Sequence, residues 1–118
     1  MQTDLNTKVP ETRPDRRRHA RYRFSVPITI RSGQGTPIAG ISIEISQSGI
    51  SAITADPLKV NDTVEIEPIA AGKVSAVVRR NIGRVYGFEF LNLTPEQIKQ
   101  IQESCKTLAL YQNTALGI

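Results

Sequence analysis

The chain has no tryptophan, a single cysteine, a single histidine and only 5% aromatic residues in 118. Each scarcity closes off a class of function. One cysteine, Cys105, excludes an internal disulfide and any multi-cysteine zinc site. The one histidine, His19, lies in a run of arginines with no acid at an orienting spacing. The neighbouring guanidiniums oppose its imidazolium form, so no nucleophile–base pair is in sight and no enzymatic role is expected. Glycine-rich phosphate loops of the GxxxxGK(S/T) or GxGxxG kind are missing, and the acids are scattered with no metal-ligand spacing. No apolar stretch approaches the ~20 residues that span a bilayer. The opening MQTDLNTKVPETRPD has no apolar centre, unlike a secretory signal, so a cytoplasmic protein without membrane insertion is expected. With so few aromatics, the core has to be built from Ile, Val and Leu.

What the chain does have is a concentrated charge. Residues 1–31 carry eight Lys/Arg against three acids, a balance of +5, while the other 87 carry seven against eight, a balance of −1. The basic excess therefore belongs to one segment, DRRRHARYRF at 15–24, with five arginines and no lysine. Guanidinium forks onto phosphate oxygens and onto the O6/N7 edge of guanine, and its flat face stacks on a purine. The same run is equally compatible with a solvated basic arm.

Downstream, the hydrophobic pattern has a period of two. Phe24, Val26, Ile28 and Ile30 form one face of a first strand, with Pro27 outward, which suggests an edge or a bulge. Ala39, Ile41, Ile43 and Ile45 form one face of a second strand, with Ser42, Glu44 and Ser46 opposite. Ile50, Ala52 and Thr54 continue in a third; Val64, Ile66 and Pro68 mark a fourth; KVSAVVRR and RVYGFEFL, with Tyr86, Phe88 and Phe90 on one face, form a hairpin. Thr94-Pro95-Glu96-Gln97 is a capping box with proline at the first helical position. Ile98, Ile101, Cys105 and Leu108 then fall on one helical stripe, which needs an opening of the sheet to cover. The expectation is a mainly β protein, a six-stranded antiparallel β-barrel with a C-terminal α-helix. It places a disordered, flexible tail at 1–14, one domain at 15–112 and a frayed end at 113–118.

A second polar feature is EISQSG at 44–49. Ser46 offers a hydroxyl, and Gly49 permits a tight turn and close approach of a ligand to the backbone. Read alone, it is also an ordinary β-turn. Together, the two features resemble the PilZ domain family, which binds the bacterial second messenger cyclic di-GMP and carries RxxxR followed some 20–30 residues later by (D/N)xSxxG. Arg17-Arg18-His19-Ala20-Arg21 matches the first motif and Ser46-Gln47-Ser48-Gly49 the SxxG of the second. RVYGFEFLNLTPEQIKQIQ is similar to the family's last strand and helix. Another RxxxR, Arg13 to Arg17, lies in the tail and abuts no strand.

The resemblance implies a receptor or adaptor without catalytic activity and without a cofactor, its ligand being cyclic di-GMP and its output an unidentified protein effector. Arg17 and Arg21 would grip guanine edges and phosphates. Arg16 and Arg18 would flank them, Arg16 adding a stacking plane compatible with an intercalated ligand pair. Glu44, Ser46 and Gly49 would line the floor. Glu44 departs from the family's Asp or Asn by one methylene, which displaces any bidentate contact to guanine. A degenerate PilZ-like adaptor that does not bind the messenger is therefore an alternative. A small barrel that binds nucleic acid is another, disfavoured because residues 38–90 show no outward aromatic stripe and no basic excess.

Overall fold

A computed structural model of the chain describes residues 20–116 except Gln34 and Ala71, with side chains of the C-terminal helix described to Leu108. Arg16, Arg17, Arg18 and His19, and the expected disordered arm, lie outside the described residues.

Seven strands and one helix follow in order. They are β1 (Tyr22–Arg23), β2 (Pro27–Ser32), β3 (Ile38–Ile45), β4 (Gly49–Thr54), β5 (Thr63–Ile69), β6 (Gly72–Ile82), β7 (Val85–Leu91) and α1 (Pro95–Leu116). All pairings are antiparallel. The strand order is β1-β3-β2-β5-β6-β7-β4, and β4 returns to pair with β3. The six longer strands thus close into the expected barrel, with no free edge among them. Its core is aliphatic, from Ile28, Ile30, Ile45, Ile66 and Val78 among others, with Tyr86, Phe88 and Phe90. The buried Tyr86 hydroxyl accepts from the Leu58 N–H at 3.0 Å.

The expected first strand is present but broken. β1 and β2 lie end to end along β3, pairing at Tyr22↔Ile45 and Pro27↔Ile41, and the gap at Phe24–Val26 is where the chain leaves the ladder. Pro27 begins β2 and does not sit on an edge strand, since β2 pairs with both β3 and β5. Its missing N–H costs nothing at a strand's first residue. Ser42 bridges the break. Its buried hydroxyl accepts from the Val26 N–H at 2.9 Å and donates to the Phe24 carbonyl.

Ser42 corrects the sequence reading of β3. Gly40 and Ser42 point inward and Ile41 is exposed, whereas Ile45 is buried. The faces switch because Ile43 is an extra residue between the pairs Ser42↔Ala52 and Glu44↔Ser51, a β-bulge. A similar slip in β5 corrects Pro68. The register shifts between Ile66 and Ile69, so that Ile69 is buried and Pro68 exposed.

The capping box forms as expected. The Gln97 N–H donates to Thr94 Oγ1 at 3.1 Å and the Thr94 N–H to Gln97 Oε1 at 2.9 Å. Ile101 and Cys105 enter the core and Leu108 packs against it, whereas Ile98 is exposed. The helical backbone continues to Leu116, through part of the end read as frayed.

Two measurements check this architecture. Ser42→Ala strands a part-buried N–H and a part-buried carbonyl, and denaturant titration should show a loss of about 1–3 kcal/mol. Burial pushes the Cys105 thiol up from its ordinary value, so the folded chain holds that proton more tightly than the unfolded one. This contribution is complete below the unfolded thiol's range and is lost as pH rises towards the folded value. Stability should therefore fall on the alkaline side in the wild type more steeply than in Cys105→Ala.

Candidate functional site

Two bulges shape one outer face of the barrel. In β3 the extra Ile43 turns Glu44 outward. In β6 the pairs Val78↔Phe88 and Arg80↔Gly87 leave Arg79 as an extra residue, so two consecutive arginines are both exposed. Between them a row crosses the sheet: Arg23 pairs with Glu44, Glu44 with Ser51, Ser51 with Gly87 and Gly87 with Arg80. With no side chain at Gly87, the stem of Arg80 lies over that backbone. A Cβ at Gly87 would meet Arg80 Cγ at 3.6 Å.

A groove of about 590 Å³ runs over this row, bounded by Arg21 and Glu44 at one end and by Arg79, Arg80 and Glu89 at the other. That is the size of a small-molecule site. Arg21 Nη1 lies 3.4 Å from Glu44 Oε1, and Arg79 Nε donates to Glu89 Oε1 at 2.7 Å. Arg80 has no carboxylate partner among the described residues. Three guanidiniums facing two carboxylates leave the groove cationic and suited to an anionic ligand.

The turn from β3 to β4 forms one wall. Ser46 Oγ accepts from the N–H groups of Ser48 and Gly49, both at 3.2 Å, and the Ser46 N–H donates to the Gly49 carbonyl at 2.8 Å. The buried Ser46 hydroxyl is thus the organiser of the turn. The Ser48 carbonyl accepts from the Phe90 N–H at 2.9 Å, and Gln47 Oε1 accepts from Gln102 Nε2 of α1 at 3.3 Å. Gly49 has a structural reason beyond the turn, because a Cβ there would collide with the Phe88 carbonyl oxygen of β7. Glycine at this position permits β4 to pair with β7 and the barrel to close.

Of the residues singled out from the sequence, Arg21, Glu44, Ser46 and Gly49 come together in the groove; Arg16, Arg17 and Arg18 are outside the described residues. Sequence reasoning missed Arg79, Arg80, Glu89 and Ser51. The Arg79-Arg80 pair ending a run of valines was a signal for the first two. Among the described residues there is no cluster of three or more His, Cys, Asp or Glu that would hold a metal. No helix there is long and apolar enough to cross a membrane.

These features define a class: a small closed barrel with a cationic groove built where an N-terminal arginine meets a strand-end SxxG turn. Comparison with known families gives the same answer. The model of the PilZ domain matches residues 15–107, and the chain belongs to the PilZ domain family. Among solved structures it is similar to the Bacillus subtilis inhibitor of motility MotI/DgrA, with 23% identity and a TM-score of 0.67 over 85% of this chain and 54% of that one. The chain thus spans about half the length of that relative. It is also similar to the PilZ domain of YcgR from Escherichia coli, solved with c-di-GMP, with 19% identity and a TM-score of 0.66 over 87% of this chain and 98% of that one. A third is the PilZ domain of CeSA from a cellulose-synthesizing bacterium, with 16% identity and a TM-score of 0.62 over 76% of this chain and 98% of that one. Among curated proteins the chain matches none.

Gly49→Ala tests the structural role of that glycine. Thermal unfolding should show a loss of at least about 1–3 kcal/mol without any ligand present, since the added methyl overlaps backbone that cannot move independently.

Proposed function

We propose that the chain is a cyclic di-GMP receptor of the bacterial cytoplasm that acts without catalysis, as an adaptor signalling to a protein partner. The observation that carries this reading is that Arg21 and the Ser46–Gly49 turn line one cationic groove. Both halves of the family's sequence signature thereby face one space. In this reading Arg21, joined by Arg17 and flanked by Arg16 and Arg18, forks onto phosphate or guanine, Glu44 accepts from a guanine N–H edge, and Ser46 with Gly49 fixes the wall against which the base rests. Arg79 and Arg80 supply positive potential from the opposite side.

The Arg21–Glu44 pair itself favours a second reading. The longer side chain of glutamate reaches the motif arginine, so the arginine already has a carboxylate for company and ligand must compete for it. An adaptor that has lost the messenger would look like this.

Calorimetric titration with cyclic di-GMP, with GMP and ATP as controls, separates the two. The first reading expects micromolar binding of cyclic di-GMP alone, weakened about 10–100-fold by Arg21→Ala, the range of a charge-assisted contact. Glu44→Asp, which withdraws the carboxylate from Arg21, should tighten it. No heat from the wild type at high micromolar ligand, with binding gained in Glu44→Asp, would establish the second reading instead.

A further inference from the structure

The hairpin between β6 and β7 ends in apolar side chains that face outward. Ile82 pairs with Val85, and Gly83 and Arg84 make the turn between them. Ile82 is 72% exposed, the most of any large hydrophobic among the described residues, and Val85 is 37% exposed. Ile53 of β4 pairs with Val85 and is 44% exposed. Three aliphatic side chains from adjacent strands thus stand in one row at this end of the barrel. Gathered apolar surface of this kind marks an interaction site, whereas scattered exposed residues do not. Ile82 and Val85 also wall the groove, while Ile53 and Arg84 lie outside it, so the row continues past the groove onto the outer surface of the barrel.

The charges beside the row are mostly positive. Arg80 stands two positions before Ile82 on the same outward face, and Arg84 sits in the turn. Neither has a carboxylate partner among the described residues. Arg84 Nη2 makes one long contact, 3.5 Å, to the Ala55 carbonyl. The acids nearby are Glu89, already held by Arg79, and the exposed Asp56, which follows Ala55. Arg79, Arg80 and Arg84 thus outnumber them. The other end of the groove is bounded by Arg21, which follows closely on Arg16, Arg17 and Arg18 in the sequence.

We infer that this end of the hairpin docks on the surface of an anionic lipid bilayer, where the chain lies without crossing it. The observations select that occupant. Guanidiniums free of carboxylates beside exposed aliphatic side chains suit headgroup phosphates and the acyl boundary beneath them. None of the large hydrophobics exposed among the described residues is aromatic, whereas protein interfaces lean on aromatic anchors. The six longer strands close on themselves, so an acidic peptide has no edge to join as a further strand. A second copy would set Arg80 and Arg84 against like charges. Side chains of adjacent strands diverge around a closed barrel, and a fluid bilayer accommodates them where a rigid flat partner does not. The docking does not rest on the reading of the groove as the cyclic di-GMP site.

Flotation of the full chain, without nucleotide, on phosphatidylcholine vesicles carrying about 30% phosphatidylglycerol should bring the chain up with the lipid. Vesicles of phosphatidylcholine alone should bind it at least about tenfold more weakly. Ile82→Asp, or the milder Ile82→Ser, should weaken binding to the anionic vesicles about tenfold or more. Arg80→Gln and Arg84→Gln should each weaken it about fivefold. Because the chain has no tryptophan, Ile82→Trp supplies a unique reporter. Its emission should shift to the blue on anionic vesicles and be quenched by brominated lipid. Ile98→Trp should show neither, since the first turn of α1 is tied to Lys73, at the opposite end of β6 from Ile82. Binding indifferent to Ile82→Asp and Ile82→Ser would belong to the arginine run at 15–24 and would overturn the inference. So would equal quenching at the two tryptophan positions, or equal affinity for the neutral vesicles. A chain that stays off all vesicles would overturn it as well, and a doubled mass on sedimentation would then give the face to a second copy.

Discussion

A single surplus residue in β3 governs the outer face of this barrel. Side chains of a strand alternate strictly, so an inserted residue exchanges inside for outside from that point on. Before Ile43 the inward positions are Gly40 and Ser42; after it the inward position is Ile45. Without the insertion Glu44 would belong to the interior set, and an uncompensated carboxylate there is not tolerable. The bulge therefore does two things at once. It keeps Ile45 in the core, and it delivers a carboxylate to the surface next to the arginine that β1 carries in. The bulge at Arg79 in β6 does the matching work on the opposite side of the groove.

Bending a strand breaks ladder hydrogen bonds, and the fold answers with serine. Ser42 occupies the gap between β1 and β2 and satisfies one donor and one acceptor left over there. Ser46 receives two N–H groups where β3 gives way to β4. The two hydroxyls sit on either side of the Ile43 bulge, so the distortion that creates the groove is flanked by the groups that satisfy it. α1 reinforces the same region: it packs on β1 and meets Gln47 through Gln102, while its first turn is tied to β6 by Gln97 Nε2 donating to the Lys73 carbonyl at 3.0 Å. The elements that border the groove are thus also those on which the helix rests.

The fold was legible in the sequence wherever the period of two ran unbroken. Tyr86, Phe88 and Phe90 face inward as their spacing demands, and so do Ile50, Ala52 and Thr54. The capping box at Thr94 was equally readable, because its signal is local. Legibility failed at the irregularities: the break at Phe24–Val26, the bulges at Ile43 and Arg79 and the slip at Pro68. In β3 four alternating apolar residues disguised the change of face, since Ile41 and Ile43 are as hydrophobic as Ile45 and nothing in their chemistry reveals which are exposed. The candidate site was half legible. Arg21, Glu44, Ser46 and Gly49 stand in short motifs, whereas Arg80 and Ser51 reach the groove only through registers set by other strands. Glycine at 49 was noticed for the right position and a partial reason, because the carbonyl it accommodates is nearly forty positions away in the chain.

The turn organised by Ser46 has a consequence for how this surface can diversify. Its shape is set chiefly by the Ser46 oxygen and the main-chain N–H groups of Ser48 and Gly49 that it receives. Ser48 is exposed at the lip of the groove and contributes its backbone N–H and a hydroxyl contact to Ser46 Oγ at 3.2 Å, and Gln47 contributes only a side-chain contact to α1. Gln47 is therefore free to be rewritten without redrawing the loop, whereas a change at Ser48 removes one contact to the organising hydroxyl. The chain has in effect separated the residue that fixes the geometry, Ser46, from the neighbouring Gln47 that colours it, which lets the rim of a shared scaffold acquire a new preference without a new loop.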